Sequence, residues 1–168
     1  MTRNLAWLSL LSIALSVTIA AQDRPDFSGR WVLAGSARSD SDVAQSLTVR
    51  QPIARTNVFG APMEPYFKEL TVERQFANHV STETYPIGVI GGTVGGGGSQ
   101  TRFSVRWEND RLVIETGSYA GSTREAGPYT EHTEEWKLDA GALTISIIDR
   151  ASDTESRSNT LTYRKIRG

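Results

Sequence analysis

Alternation of polar and apolar residues at period two recurs along most of the chain, and it limits the fold more than any other feature. Ser46-Leu47-Thr48-Val49-Arg50, Leu70-Thr71-Val72-Glu73 and Arg102-Phe103-Ser104-Val105-Arg106-Trp107 each gather one apolar set on one face. Arg111-Leu112-Val113-Ile114-Glu115 is a denser run. Glu135-Trp136-Lys137-Leu138, Leu143-Thr144-Ile145-Ser146-Ile147 and Leu161-Thr162-Tyr163 complete the pattern. Successive side chains of a strand point to opposite faces, so this pattern marks half-buried antiparallel strands. No apolar stripe at helical spacing follows residue 22. Helix is expected only as a turn near residues 39–43.

The connections read as hairpins. Asn109-Asp110 falls between two alternating runs, where a two-residue turn needs residues that tolerate positive φ. Asp139-Ala140-Gly141 reads as a three-residue loop with Gly141 in the left-handed position. Ala77-Asn78 turns between the strand ending at Phe76 and the next, from His79 to Tyr85. Longer loops are expected at residues 52–68, 88–100 and 117–129, the second of them glycine-rich. A sequential run of about 8–10 short strands must hide its edges, and closing into an up-and-down barrel does so. The predicted fold is therefore an all-β antiparallel barrel, with a two-sheet β-sandwich as the alternative.

The start of the chain is of another kind. Arg3 is followed by an uncharged apolar run from Leu5 to Ile19, then Ala20-Ala21, then Gln22-Asp23-Arg24. A basic start, an apolar core and small residues before a polar segment are the parts of a secretory signal. The run is shorter than the roughly 20 apolar residues that a spanning helix needs. Residues 1–21 are thus expected to be removed, leaving one β-domain over residues 22–168, periplasmic or extracellular, with no membrane span after cleavage. The chain has 18 Lys and Arg against 19 Asp and Glu, and losing Arg3 takes the net charge to −2. That balance does not point to nucleic acid. Cysteine is absent, which excludes disulfides, thiol catalysis, Cys-ligated zinc and iron–sulfur clusters.

Phe27-Ser28-Gly29-Arg30-Trp31 opens the first strand. Gly-x-Trp at this place resembles the first-strand signature of lipocalins and the wider calycin group. The chain also resembles a group of exported bacterial proteins with an FSGxW start, a strand of the RWExDxLVIET kind (here residues 106–116) and a TLTYRR-like end (here residues 160–165). The resemblance implies a lipocalin-like barrel and no particular activity. It also implies structural roles for Gly29 and Trp31, with a basic residue of the last strand packed across the Trp31 ring. Arg164 is the first candidate for that residue and Lys165 the second.

Chemistry-bearing residues are few. His132 and Glu134 fall two apart on one strand, on the side that carries Trp136 and Leu138, so both are expected to point into the barrel near its open end. Counting by two from Leu70 and Val72 turns Arg74 inward as well. A buried arginine needs a carboxylate, and Glu83 or Glu134 would serve, unless a bulge turns Arg74 outward. Glu83 and Tyr85 share a side of the next strand. The candidate ligand-binding set is therefore Arg74, Glu83, Tyr85, His132, Glu134 and Trp136. No catalytic residue is assigned, because no nucleophile or oxyanion donor accompanies the pair. No metal is assigned, since the other histidine, His79, lies on a different strand. No cofactor is expected. The glycine-rich segment from Gly91 to Ser99 lacks the lysine of a phosphate loop and is read as a flexible hairpin loop, whose apolar approach over residues 86–90 would let it serve as a lid over the barrel mouth.

Three functions compete. A hollow barrel lined by Val72, Phe103, Val105 and Trp136, with Arg74 or His132 holding a polar head, would bind a small apolar or amphipathic ligand. A filled barrel would suit a periplasmic interaction or inhibitor protein acting through its loops, with a protein partner the sequence does not identify. An enclosed His132–Glu134–Arg74 cluster with raised proton affinity at Glu134 would suit an enzyme. Intact-mass measurement of the exported protein is expected to show a chain beginning at Gln22. A secreted form that retains Trp7 would contradict the leader assignment.

Overall fold

A computed structural model of the chain describes residues 24–35, 41–54, 57–58, 61–62, 66–94, 100–120 and 127–166. The expected leader lies outside the described residues. Among those residues there is no helix; of the predicted helical turn at 39–43, residues 41–43 form a turn and a bend, and residues 39–40 lie outside the described residues.

Fourteen strands follow in order: β1 (Gly29–Leu33), β2 (Ser46–Arg50), β3 (Ile53–Ala54), β4 (Asn57–Val58), β5 (Ala61–Pro62), β6 (Tyr66–Phe67), β7 (Glu69–Gln75), β8 (Val80–Pro86), β9 (Val89–Val94), β10 (Gln100–Glu108), β11 (Arg111–Tyr119), β12 (Tyr129–Asp139), β13 (Ala142–Ala151) and β14 (Thr154–Ile166). Ten of them form one antiparallel sheet in the order β8-β7-β2-β1-β14-β13-β12-β11-β10-β9. Apart from β8 and β9, strands of this sheet that follow one another in sequence are paired, and β14 closes on β1 with Trp31 opposite Lys165. This is a nearly closed up-and-down barrel and not a sandwich. The short pairs β3–β6 and β4–β5 are two small separate sheets inside the 52–68 segment, where the sequence predicts a loop.

The barrel is open only between β8 and β9, which are the two ends of the sheet. The turn Ile87-Gly88 joins these strands and is stapled on both sides. Ile87 N donates to Lys68 O at 2.9 Å, and Gly88 N donates to Val105 O at 2.7 Å.

Two loop assignments change. The Ala140-Gly141 turn has two residues, both at positive φ (46° and 82°), as a tight primed turn requires. The glycine-rich segment from residue 88 is not all loop, since Val89–Val94 is a strand. Glycine is poor in strands because it offers no side chain to pack. Here Gly91 is opposite Phe103, and a Cβ on Gly91 would stand 2.5 Å from the Phe103 ring. The ring takes the space that a side chain would fill.

Inward residues of β1, β2, β7, β10–β14 form one core. Leu47, Val49, Leu70, Val72, Val105, Trp136, Leu143 and Ile145 are all buried, as the alternation predicted. The fillers are larger than expected, because Phe27 and Tyr163 join Trp31 and Trp136. Phe27 precedes β1 and plugs the closed end. Its ring stacks on Trp107 with centroids 5.8 Å apart and meets Trp136 edge-on at 5.9 Å. The plug is also tied by polar bonds. Phe27 N donates to Gln51 Oε1, and Trp31 Nε1 donates to Phe27 O, each at 2.9 Å.

The residue over Trp31 is Lys165 and not Arg164. Lys165 Nζ lies 5.2 Å from the ring centroid. Tyr163 is buried, so period two puts Lys165 on the inner side of β14 and Arg164 on the outer side. Gly29 makes room for this contact. Its φ is +137°, and an added Cβ would lie 2.6 Å from Lys165 Cε. Trp31→Ala is expected to cost about 3–5 kcal/mol as a large core truncation. Lys165→Ala should cost about 0.5–1 kcal/mol, as an exposed cation–π contact does, and that cost should vanish in a Trp31→Ala background. Arg164→Ala should change stability by less than about 0.5 kcal/mol. Urea unfolding of the three single variants and the double variant checks this.

Candidate functional site

β7, β8 and β12 carry the polar residues that face the barrel interior. On β7 the alternation Leu70, Val72, Arg74 continues inward without a bulge. On β12, Trp136, Glu134 and His132 face inward in succession, opposite Ile145, Ile147 and Asp149 of β13. On β8, Glu83 is opposite Val72 and Tyr85 is opposite Leu70, which places both beside Arg74.

These residues form one network. Arg74 Nη2 donates to Glu134 Oε2 at 2.9 Å. The two side chains are only 11% and 6% exposed, so neither charge can rely on water. Trp136 Nε1 donates to the same Glu134 oxygen at 2.7 Å, and the Arg74 guanidinium lies 5.8 Å from the Trp136 ring centroid. Arg74 Nε lies 3.4 Å from Glu83 Oε2, and it is buried without a hydrogen bond. The Tyr85 hydroxyl donates to that Glu83 oxygen. His132 faces a carboxylate from each ring nitrogen, Glu134 Oε1 at 3.2 Å from Nε2 and Asp149 Oδ1 at 2.6 Å from Nδ1.

The two carboxylates around His132 decide its protonation. The bond to Glu134, with help from Asp149, outweighs burial and raises its pKa to about 9. At neutral pH the ring is an imidazolium that donates from both nitrogens. Burial pushes the Glu134 pKa up, but the bonds from His132, Arg74 and Trp136 more than offset it and hold the carboxyl well below its usual range. Burial also opposes the Arg74 charge, and Glu134 overcomes it, so Arg74 stays cationic. Burial pushes the Tyr85 phenol up, so it remains a donor. An enzyme would call for Glu134 with raised proton affinity. The opposite shift leaves no acid on Glu134 and no free base on His132. Among the described residues no group of three or more His, Asp or Glu side chains is placed to hold a metal ion.

A cavity of about 580 Å³ adjoins this network. Arg74, Glu83, Tyr85, His132 and Glu134 line it on one side. Phe76, Phe103, Ile114, Ile147, Leu161 and Tyr163 supply apolar wall. Of the lining expected from sequence, only Phe103 reaches the cavity. Val72, Val105 and Trp136 are fully packed in the core, and Trp136 touches the site by its bond to Glu134. The interior is thus divided, with a filled region around Trp31 and Trp136 and a hollow region beyond Glu134. Asp149 is the site residue that sequence reading missed. It is legible only once the turn at residues 140–141 is known to have two residues, since that sets Asp149 opposite His132.

No family model matches this sequence, and no curated protein does either. Among solved structures the chain is similar to one titled a REP1-NXSQ fatty acid transporter, at 12% identity, covering 83% of this chain and 96% of that one, with a TM-score of 0.45. It is also similar to apo lipid binding protein 8 of Caenorhabditis elegans, at 12% identity, covering 83% of this chain and 95% of that one, with a TM-score of 0.46.

His132 contributes stability while it is protonated in the folded state. Its ordinary pKa is near 6.5, so the contribution is full below that pH and is lost as pH rises through about 9. The ring is 41% exposed, so solvent screens the pairs and the loss should be on the order of 1 kcal/mol. The wild type should lose this much stability relative to His132→Gln between about pH 6.5 and pH 9. Parallel denaturation curves for the two proteins across that range would contradict the assignment.

Proposed function

We propose that this protein is an exported binding barrel that holds one small apolar or amphipathic molecule in the cavity beside Arg74 and Glu134. The observation that carries this reading is the divided interior. Ligand sites are concave, largely apolar and supplied with a few converging polar groups, typically at volumes of about 300–1,000 Å³. A cavity of about 580 Å³ with aromatic and aliphatic wall and one polar side has that character. The core beneath it is already packed, so the hollow is not a general failure to fill the barrel. Charge, apolar run and small residues in order over residues 1–21 support export.

The network is pre-organised for binding. Its charges are paired within the protein, so a ligand need not neutralise a bare buried ion. Apolar wall area supplies the driving force, at roughly 25 cal/mol per Å² of surface removed from water, less the cost of immobilising the ligand.

Nile red, an uncharged apolar dye, is expected to bind the mature protein with a Kd on the order of micromolar and to alter tryptophan emission. Leu161→Trp, which adds volume to the cavity wall, should weaken binding by about tenfold or more. Absence of dye uptake by folded protein, or uptake unchanged by Leu161→Trp, would overturn the proposal.

A further inference from the structure

The charges around the cavity say what kind of polar head it takes. Among the described residues its lining carries three carboxylates, Asp42, Glu83 and Glu134, against two cationic groups, Arg74 and His132. The excess is negative even with His132 charged. Both cations already serve carboxylates of the protein. Arg74 bonds the almost fully buried Glu134 and lies against Glu83, and its Nε is closed off from the cavity. His132 has a carboxylate on each ring nitrogen. The Tyr85 hydroxyl is committed to Glu83.

An incoming carboxylate at Arg74 would crowd or displace the carboxylates already there. Displacing Glu134 would strand an ionised carboxyl in the interior, which is a severe penalty. Displacing Glu83 would set two carboxylates against each other beside the cavity, and like charges at such range disfavour each other strongly. Acceptors, by contrast, are on offer. Glu83 is 48% exposed, and both of its contacts fall on Oε2, so Oε1 takes part in neither. Asp42 is exposed beside the same space, with Oδ1 accepting from Ser41 Oγ. An ionised carboxylate only accepts, and with about four lone-pair sites it has room for further donors.

We propose that the cavity selects amphipathic molecules whose head donates hydrogen bonds and carries no negative charge, such as an ammonium or a hydroxyl, and that it rejects carboxylates. Glu83 Oε1 is the main acceptor. This rests on the binding reading above and deepens it. The apolar wall of Phe103, Ile114, Ile147 and Leu161 takes the chain of the ligand, and the head turns toward β8.

The test is displacement of Nile red from the mature protein by dodecylamine, dodecanol and dodecanoate, each below its aggregation limit. The chain is constant, so only the head differs. Dodecylamine and dodecanol should displace the dye at concentrations about tenfold or more below dodecanoate, the scale set by a wrongly placed charge. Glu83→Gln should weaken dodecylamine and narrow the gap to dodecanoate. Dodecanoate binding as tightly as the other two, or a gap unchanged in Glu83→Gln, would overturn the head-group assignment and leave the binding barrel standing. Failure of the wild type to take up Nile red at all would remove the binding reading itself.

Discussion

When β14 bonds to β1 from Arg30 opposite Ile166 to Leu33 opposite Tyr163, strands far apart in sequence come to share one ladder and the sheet curls onto itself. Everything inside depends on that closure. It brings Trp31 against the same core as Trp136 and Tyr163, and it places Lys165 over the indole face. Ladders to neighbours on both sides leave only β8 and β9 as sheet edges. Those two are consecutive in the chain, and the bonds of Ile87 and Gly88 hold their junction to β10 and to the residue before β7. The open seam therefore falls between two strands that follow one another in the chain, on the side of the barrel that carries Glu83 and Tyr85.

Within the closed sheet, the Arg74–Glu134 pair marks the limit of the packed region. Below it, aromatic and aliphatic side chains fill the space. A charge pair at this depth is not a cheap substitute for apolar packing, since both ions lose hydration and the attraction only partly compensates. What the pair does provide is direction. Trp136, Arg74 and His132 all donate to the two oxygens of one carboxylate, so the orientation of Glu134 is set by three donors from two strands, β7 and β12. The cavity begins where those donors end. A ligand would meet a rigid polar surface with its internal charges already satisfied.

The same arrangement sets the acid–base state of the site. A histidine between two carboxylates resembles a catalytic relay in composition, but its proton affinity is raised, so it does not supply a base at neutral pH. Its neighbour Glu134 is held ionised, so it does not supply an acid. These groups act on the cavity as fixed charges, and the negative excess of the lining gives that field its sign.

Alternation in the sequence determined the all-β antiparallel class, with a sandwich still the alternative to a barrel, and the buried set on β2, β7, β10, β12 and β13, because a period of two leaves each side chain only two choices, and it turned Arg74 inward unless a bulge intervened. The same count placed Glu134 and His132 in the interior and named both carboxylates that Arg74 needs. It even contained the Lys165 contact, since Leu161, Tyr163 and Lys165 are two apart, although the family signature drew attention to Arg164. Other features were not legible. Val89–Val94 reads as loop by composition, and it becomes a strand only because the Phe103 ring of β10 covers Gly91. Asp149 joins His132 only through the register set by a two-residue turn. Phe27 fills the barrel end from outside any strand, so no periodicity announces it. Whether the interior is hollow was decided by tertiary structure alone. Cavity volume is what remains after side chains from many strands have packed, and no single strand's pattern carries that difference.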